Sequence, residues 1–205
     1  MECESAPSLE RRARRQCTAE GYSAVLNFRP VTRRLLQFAI LIGIAIPASG
    51  QQIATPVVPD PIKAPAGEEV VLKVSASGSQ IYVCQAGADG KFAWALKAPE
   101  AELHDQSGAI IGRHFAGPTW KDNDGSEVTG KAVARVDPSS TSIPWLLLSA
   151  TGHSGDGVLT RVSSIQRINT KGGLAPRGDE CNVAKQNQEA RSTYTADYYF
   201  YAPAK

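Results

Sequence analysis

No apolar run in this chain is long enough to cross a membrane. The longest, residues 35–46 (LLQFAILIGIAI), has twelve residues, against the roughly twenty that a permanent span requires, which excludes a polytopic membrane protein. An excess of charge of one sign is missing too. Of the formal +2 carried by 205 residues, residues 1–50 hold seven Arg against four Glu, leaving fifteen Lys and Arg against sixteen Asp and Glu in the rest. A body near −1 offers no positive field to phosphates, so a nucleic-acid partner is excluded. The motifs of common enzyme classes are also absent. Gly152, Gly155 and Gly157 do not have the Gly-x-Gly-x-x-Gly spacing, and no βαβ alternation surrounds them, so an NAD-dependent dehydrogenase is rejected. Ser154 follows His153, but there is no Gly-x-Ser-x-Gly elbow to expose a nucleophile.

What is present begins with a leader. Arg33 and Arg34 precede the apolar run and Pro47, Ala48, Ser49 and Gly50 follow it, which is the plan of a signal peptide cleaved near Gly50. The protein is therefore expected in the periplasm or outside the cell, with no permanent span in its mature form. Met1 is the only methionine, and residues 1–30, with Cys3, Cys17 and an arginine cluster, are unlike an export signal. Translation from Val31 would leave a signal peptide of ordinary length over residues 31–50. Two of the four cysteines, Cys84 and Cys181, remain after the leader. With no C-x-x-C spacing and an oxidising compartment, they are expected to form a disulfide.

Eighteen glycines and thirteen prolines favour short elements joined by turns. Residues 51–66 contain four prolines and read as an extended arm. Residues 67–205 read as one all-β domain, a sandwich or barrel with little helix. Val70, Leu72 and Val74 alternate up to Gly78, which is expected to end that strand. Residues 81–84, 91–97, 101–104 and 109–115 read as separate strands, with Trp94 and Trp145 in the core. Residues 143–150 (IPWLLLSA) suit a strand buried on both sides. Leu159, Val162, Ile165 and Ile168 recur every three residues and read as a bulged strand. Residues 179–191 allow a short helix, and residues 194–201 (YTADYYFY) a strand with aromatics on both faces, placed at a sheet edge.

The stretches at 97–131 (KAPEAELHDQSGAIIGRHFAGPTWKDNDGSEVTGK), 143–176 (IPWLLLSATGHSGDGVLTRVSSIQRINTKGGLAP) and 194–201 resemble the family catalogued as domain of unknown function 3455. The resemblance runs from about Pro56 to Tyr201. It implies a secreted single domain with one cysteine in an early strand and another before the final tyrosines, and it carries no activity to this chain.

The candidate chemistry is sparse. His104, His114 and His153 are the only histidines, and three such ligands plus water would make an open site for a divalent metal, although their spacing matches no local metal motif. Asp122 and Asp124, in DNDGSE, look like part of a calcium loop but lack the full EF-hand frame. Residues 112–120 (GRHFAGPTW) form the most distinctive loop, in which Trp120 either stacks on a planar ligand or caps the core. The leading expectation is a binding domain of unknown biochemical role that holds a small extracellular or envelope ligand through loops around His114, Trp120 and His153. A His-dependent metalloenzyme is the second reading. The third is a structural or surface-interaction protein that uses the proline arm or the tyrosine strand.

Overall fold

The computed structural model describes residues 52–205; the leader, its cleavage site and the alternative start at Val31 lie outside the described residues. Eight strands follow one another as an antiparallel meander: β1 (Glu68–Ala86), β2 (Phe92–His104), β3 (Ile110–Phe115), β4 (Thr119–Asp122), β5 (Glu127–Val136), β6 (Trp145–Ser154), β7 (Ser164–Gly172) and β8 (Glu189–Pro203). Pairing of β8 with β1, from Glu68 with Pro203 to Val83 with Glu189, closes the sheet into a barrel. Closure satisfies the backbone of both end strands, so the tyrosine strand β8 has no free edge. Helix is confined to short 3-10 turns.

The strands are fewer and longer than the turn residues imply. Gly78 does not end β1; a β-carbon there would run into the Glu100 carbonyl and Ala101, so the glycine lets β1 and β2 lie close together. The strand continues to Ala86 with bulges after Val70 and Ile81. Pro99 lies within β2 rather than between two strands. Pairing of β2 with β3 begins only at Ala101, so at Pro99 the strand is a local edge and the missing N–H leaves no gap in the ladder. The run from Val158 divides into a 3-10 turn, Val158–Arg161, and strand β7, whose pairing with β8 is irregular between Ile168 and Lys171. Residues 179–191 hold two 3-10 turns and the start of β8 instead of a helix.

Apolar residues bury on both faces of the wall. Inside, Val74, Ala76, Leu103, Trp120, Leu148, Ile165, Tyr198 and Phe200 belong to one core. Outside, Val58 and Ile62 of the proline-rich segment pack with Val70, Ile168, Tyr199 and Tyr201, and with half-buried Trp145 and Leu147. Ile62 is fully buried, and its carbonyl accepts a 2.6 Å bond from the Gln166 amide. Burying Val58 and Ile62 contributes about 3 to 6 kcal/mol before the entropy of ordering the segment is subtracted. This second layer explains why β6 begins with an apolar run without alternation: its outward side chains Trp145 and Leu147 are covered. Trp145 packs on the outer wall, and Trp94 is only half-buried, so neither belongs to the inner core expected of them.

In an up-and-down barrel, alternate connections fall at opposite ends. The β2–β3, β4–β5 and β6–β7 connections form one end, called the floor here. The β1–β2, β3–β4, β5–β6 and β7–β8 connections form the other, the mouth. The 3-10 turn Val158–Arg161 closes the floor by placing Leu159, and Val162 just after it, in the inner core. At the mouth, a disulfide joins Cys84 near the end of β1 to Cys181 in the β7–β8 connection. No helix among the described residues is long and apolar enough to cross a membrane.

Candidate functional site

The residues expected on one distinctive loop belong to two paired strands. His114 is on β3 and Trp120 on β4, directly opposite each other, and only residues 116–118 turn between them. Directly paired residues share a face of a sheet, and here that face is the inside of the barrel. The two rings stack with centroids 4.4 Å apart and planes 8° from parallel. Tyr198 meets both edge-on, at 5.3 and 5.4 Å. Trp120 is 1% exposed. His114 covers one face of the indole, and Gly130 approaches its Cζ3 atom so closely that a β-carbon there would stand 3.2 Å away. One face of the indole is thus occupied by the protein itself.

His114 is neutral by construction. Its Nδ1 lies 2.8 Å from the Thr119 carbonyl, which can only accept, so the proton sits on Nδ1 and Nε2 is a bare acceptor. Burial pushes its pKa down to about 3, against a smaller opposing effect of the Thr119 bond; the positive charge of Arg167 adds to the depression.

Arg167 was not among the residues expected to matter, yet it carries the charge of this interior. Cross-strand pairing links Leu146 to Arg167, Arg167 to Tyr198 and Tyr198 to Val74, and Val74 and Tyr198 are inner-core residues. The guanidinium donates through Nε and one terminal nitrogen to the Pro144 carbonyl, at 3.2 and 2.9 Å. Among the described residues no carboxylate forms an ion pair with it. Burial raises the pKa of Tyr82 and Tyr198, and the Arg167 charge opposes that rise in both.

A cavity of about 900 Å³ opens at the mouth beside these groups. Its lining includes Gln80, His114, Trp120, Arg167 and Tyr198 together with apolar Ile143, Leu146 and Leu148. Three of the lining residues are basic, Lys131, Arg135 and Arg167, and none is acidic. The Tyr198 hydroxyl has Tyr194 and Arg167 beside it, whereas the Gln80 amide nitrogen and the Trp120 indole nitrogen are buried without a hydrogen-bond partner among the described residues. Such groups cost about 1 to 3 kcal/mol each when left unpaired. Eight strands enclose a space suited either to side chains alone or to side chains and one small molecule.

The other expected site residues are placed elsewhere. His104 is paired with Ser75, between inward-facing Val74 and Ala76, and so lies on the outer wall. It bonds Ser77 Oγ at 3.1 Å and the Gly108 carbonyl at 3.3 Å. His153 shares a cross-strand row with Val128, Trp120 and His114. Three strand spacings separate it from His114, roughly 14 Å along the sheet, and its Nε2 lies 2.7 Å from the Val162 carbonyl at the floor. The three histidines do not converge, and no group of three His, Cys, Asp or Glu able to hold a metal occurs among the described residues.

Asp124 is occupied as a latch. One carboxylate oxygen accepts from the Ser126 N–H at 2.8 Å and from the Ser126 hydroxyl, and the other from the Val158 N–H at 2.7 Å. Ser126 Oγ in turn accepts from the Leu159 N–H. Asp122 accepts from the Asp124 N–H within the same turn. The oxygens that looked available to a cation therefore tie the β4–β5 turn to the floor.

A family model described as Protein of unknown function (DUF3455) matches residues 65–202, the barrel from just before β1 to the end of β8. The chain belongs to that family. No curated protein and no solved structure matches it. For this DUF3455 protein the function has to be argued from the barrel itself.

Proposed function

We propose that this DUF3455 protein is a binding domain that holds a small organic molecule in the mouth of its barrel, rather than on the loops around His114, Trp120 and His153. One observation carries the reading: two side chains at most 2% exposed, Gln80 and Trp120, keep donors with no partner among the described residues beside a cavity of about 900 Å³. A core meant only for stability would have apolar side chains in those places, because buried donors without partners are rare in folded proteins. Sites for small molecules combine this kind of apolar lining with a few fixed polar groups. The Cys84–Cys181 bridge supports work in an oxidising compartment, in keeping with export by the leader.

Titration with N-phenyl-1-naphthylamine, a neutral dye that brightens in apolar surroundings, tests the reading. Saturable, blue-shifted emission is expected from the native protein. It should be lost in Ala132→Trp, which fills the mouth from an exposed position on β5 opposite Leu148. No saturable signal, or the same signal from both proteins, defeats the reading.

A further inference from the structure

The unmet polar groups at the mouth specify the charge of what they would bind. The indole nitrogen of Trp120 and the amide nitrogen of Gln80 are donors only; both are buried and unpartnered. Arg167 also presents donors and adds a permanent positive charge. It lines the same cavity and donates to the Pro144 carbonyl through Nε and one terminal nitrogen. Neutral His114 supplies no second charge, and the lining contains no carboxylate. On β5, Arg135 is already paired with Asp137, and Lys131 lies in the outer row with Ser149, Ser164 and Tyr201, so Arg167 is the charge that faces the interior. Exposed Leu96 and Val133 give the rim of the mouth an apolar surface.

We infer that the molecule bound in the mouth is an organic anion, with a carboxylate-type or sulfonate head on Arg167 and an apolar body against Ile143, Leu146 and Leu148. This rests on the mouth being a binding site, as proposed above. An anionic head meets the donors with acceptors and supplies the counter-charge that Arg167 lacks, and hydrogen bonds to charged groups are the stronger kind. A neutral apolar molecule of the same shape would leave the guanidinium and both donors unmet. A cation would be repelled by the Arg167 charge.

Two dyes that differ by one group separate the possibilities: 1-anilinonaphthalene-8-sulfonate and its neutral parent, N-phenyl-1-naphthylamine. The sulfonate is expected to bind the native protein about ten-fold tighter than the parent, the ratio that one charge-assisted hydrogen bond brings. Arg167→Gln should abolish that preference, and Arg167→Lys, which keeps the charge, should restore part of it. Salt should weaken the sulfonate and spare the parent in the native protein, which keeps the test valid even where an Arg167 variant fails to fold. Equal, salt-insensitive affinities for the two dyes overturn the anion assignment and leave the binding site standing. Binding of neither dye overturns both.

Discussion

At the floor of the barrel Asp124 takes three hydrogen bonds and Ser126 accepts a fourth from the Leu159 N–H, whereas at the mouth the Gln80 amide nitrogen and the Trp120 indole nitrogen are shut away from solvent with no partner among the described residues. Both ends are made by short connections between neighbouring strands, so topology alone does not separate them. The difference lies in what fills the interior. A 3-10 turn carries Leu159 and Val162 inward at the floor and completes the core there. At the mouth Ile143 of the β5–β6 connection joins the same core, but a cavity of about 900 Å³ stays open beside it, and a disulfide ties the rim. One end of the same barrel is finished by its own chain, and the other is arranged as though an outside molecule completes it.

The comparison can be broken in three ways. The largest effect is expected from the mouth's covalent tie. Cys84 and Cys181 are 97 residues apart, and replacing both with alanine should lower the unfolding free energy by about 4 kcal/mol on the chain-entropy account, measured by urea denaturation. A loss below about 1 kcal/mol would mean that the mouth does not depend on the bridge.

Acid should separate the ends next. His114 has a folded pKa of about 3, below its unfolded value near 6.5, so the unfolded chain binds the proton first. The stability it contributes is complete above pH 6.5 and is lost as pH falls toward 3, on the order of 3 kcal/mol by pH 4. His114→Phe should flatten that slope in urea midpoints measured from pH 7 to 4. At the floor, burial tends to raise the Asp124 carboxyl, but bonds from Ser126 and Val158 outweigh it and hold the pKa below 3.8. Its contribution is present above pH 3.8 and disappears as pH falls through the lower folded value. Amide exchange should therefore show the mouth loosening at a higher pH than the Asp124 latch; the reverse order would contradict the assignment of His114.

The smallest effect is the most discriminating. Asp124→Ala removes a partnered acceptor and should cost about 1 kcal/mol, whereas Gln80→Leu removes a buried amide whose nitrogen has no partner among the described residues and should raise stability by about 1 kcal/mol. Paired melts of the two variants test this directly. An equal loss in both would mean that the Gln80 amide has a partner after all.

The strand content of this chain can be read from its residues with few errors, because alternation and turn residues are local signals. The errors cluster where a residue acts for a non-local reason. Gly78 and Pro99 look like strand breaks but answer to the approach of β2 and to the limited reach of β3. The four residues of β4, TWKD, are too few to show alternation, which made His114 and Trp120 look like parts of one loop. Arg167 was overlooked because β7 is covered on both faces. Ile165 and Ile168 then appear three apart, although counting by two from buried Ile165 places Arg167 inside the barrel.

By itself the sequence determines an all-β chain, its membership of a family, the expected pairing of Cys84 with Cys181, and the absence of the common catalytic motifs. These follow from composition and short-range pattern. Tertiary structure decides the rest: closure by β1 with β8, the proline-rich segment on the outer wall, the occupation of Asp124 as a latch, and the meeting of Gln80, His114, Trp120, Arg167 and Tyr198 around one cavity. Each depends on strands far apart in the chain becoming neighbours, and the spacing of residues along one strand carries no record of which side chains another strand will bring against it.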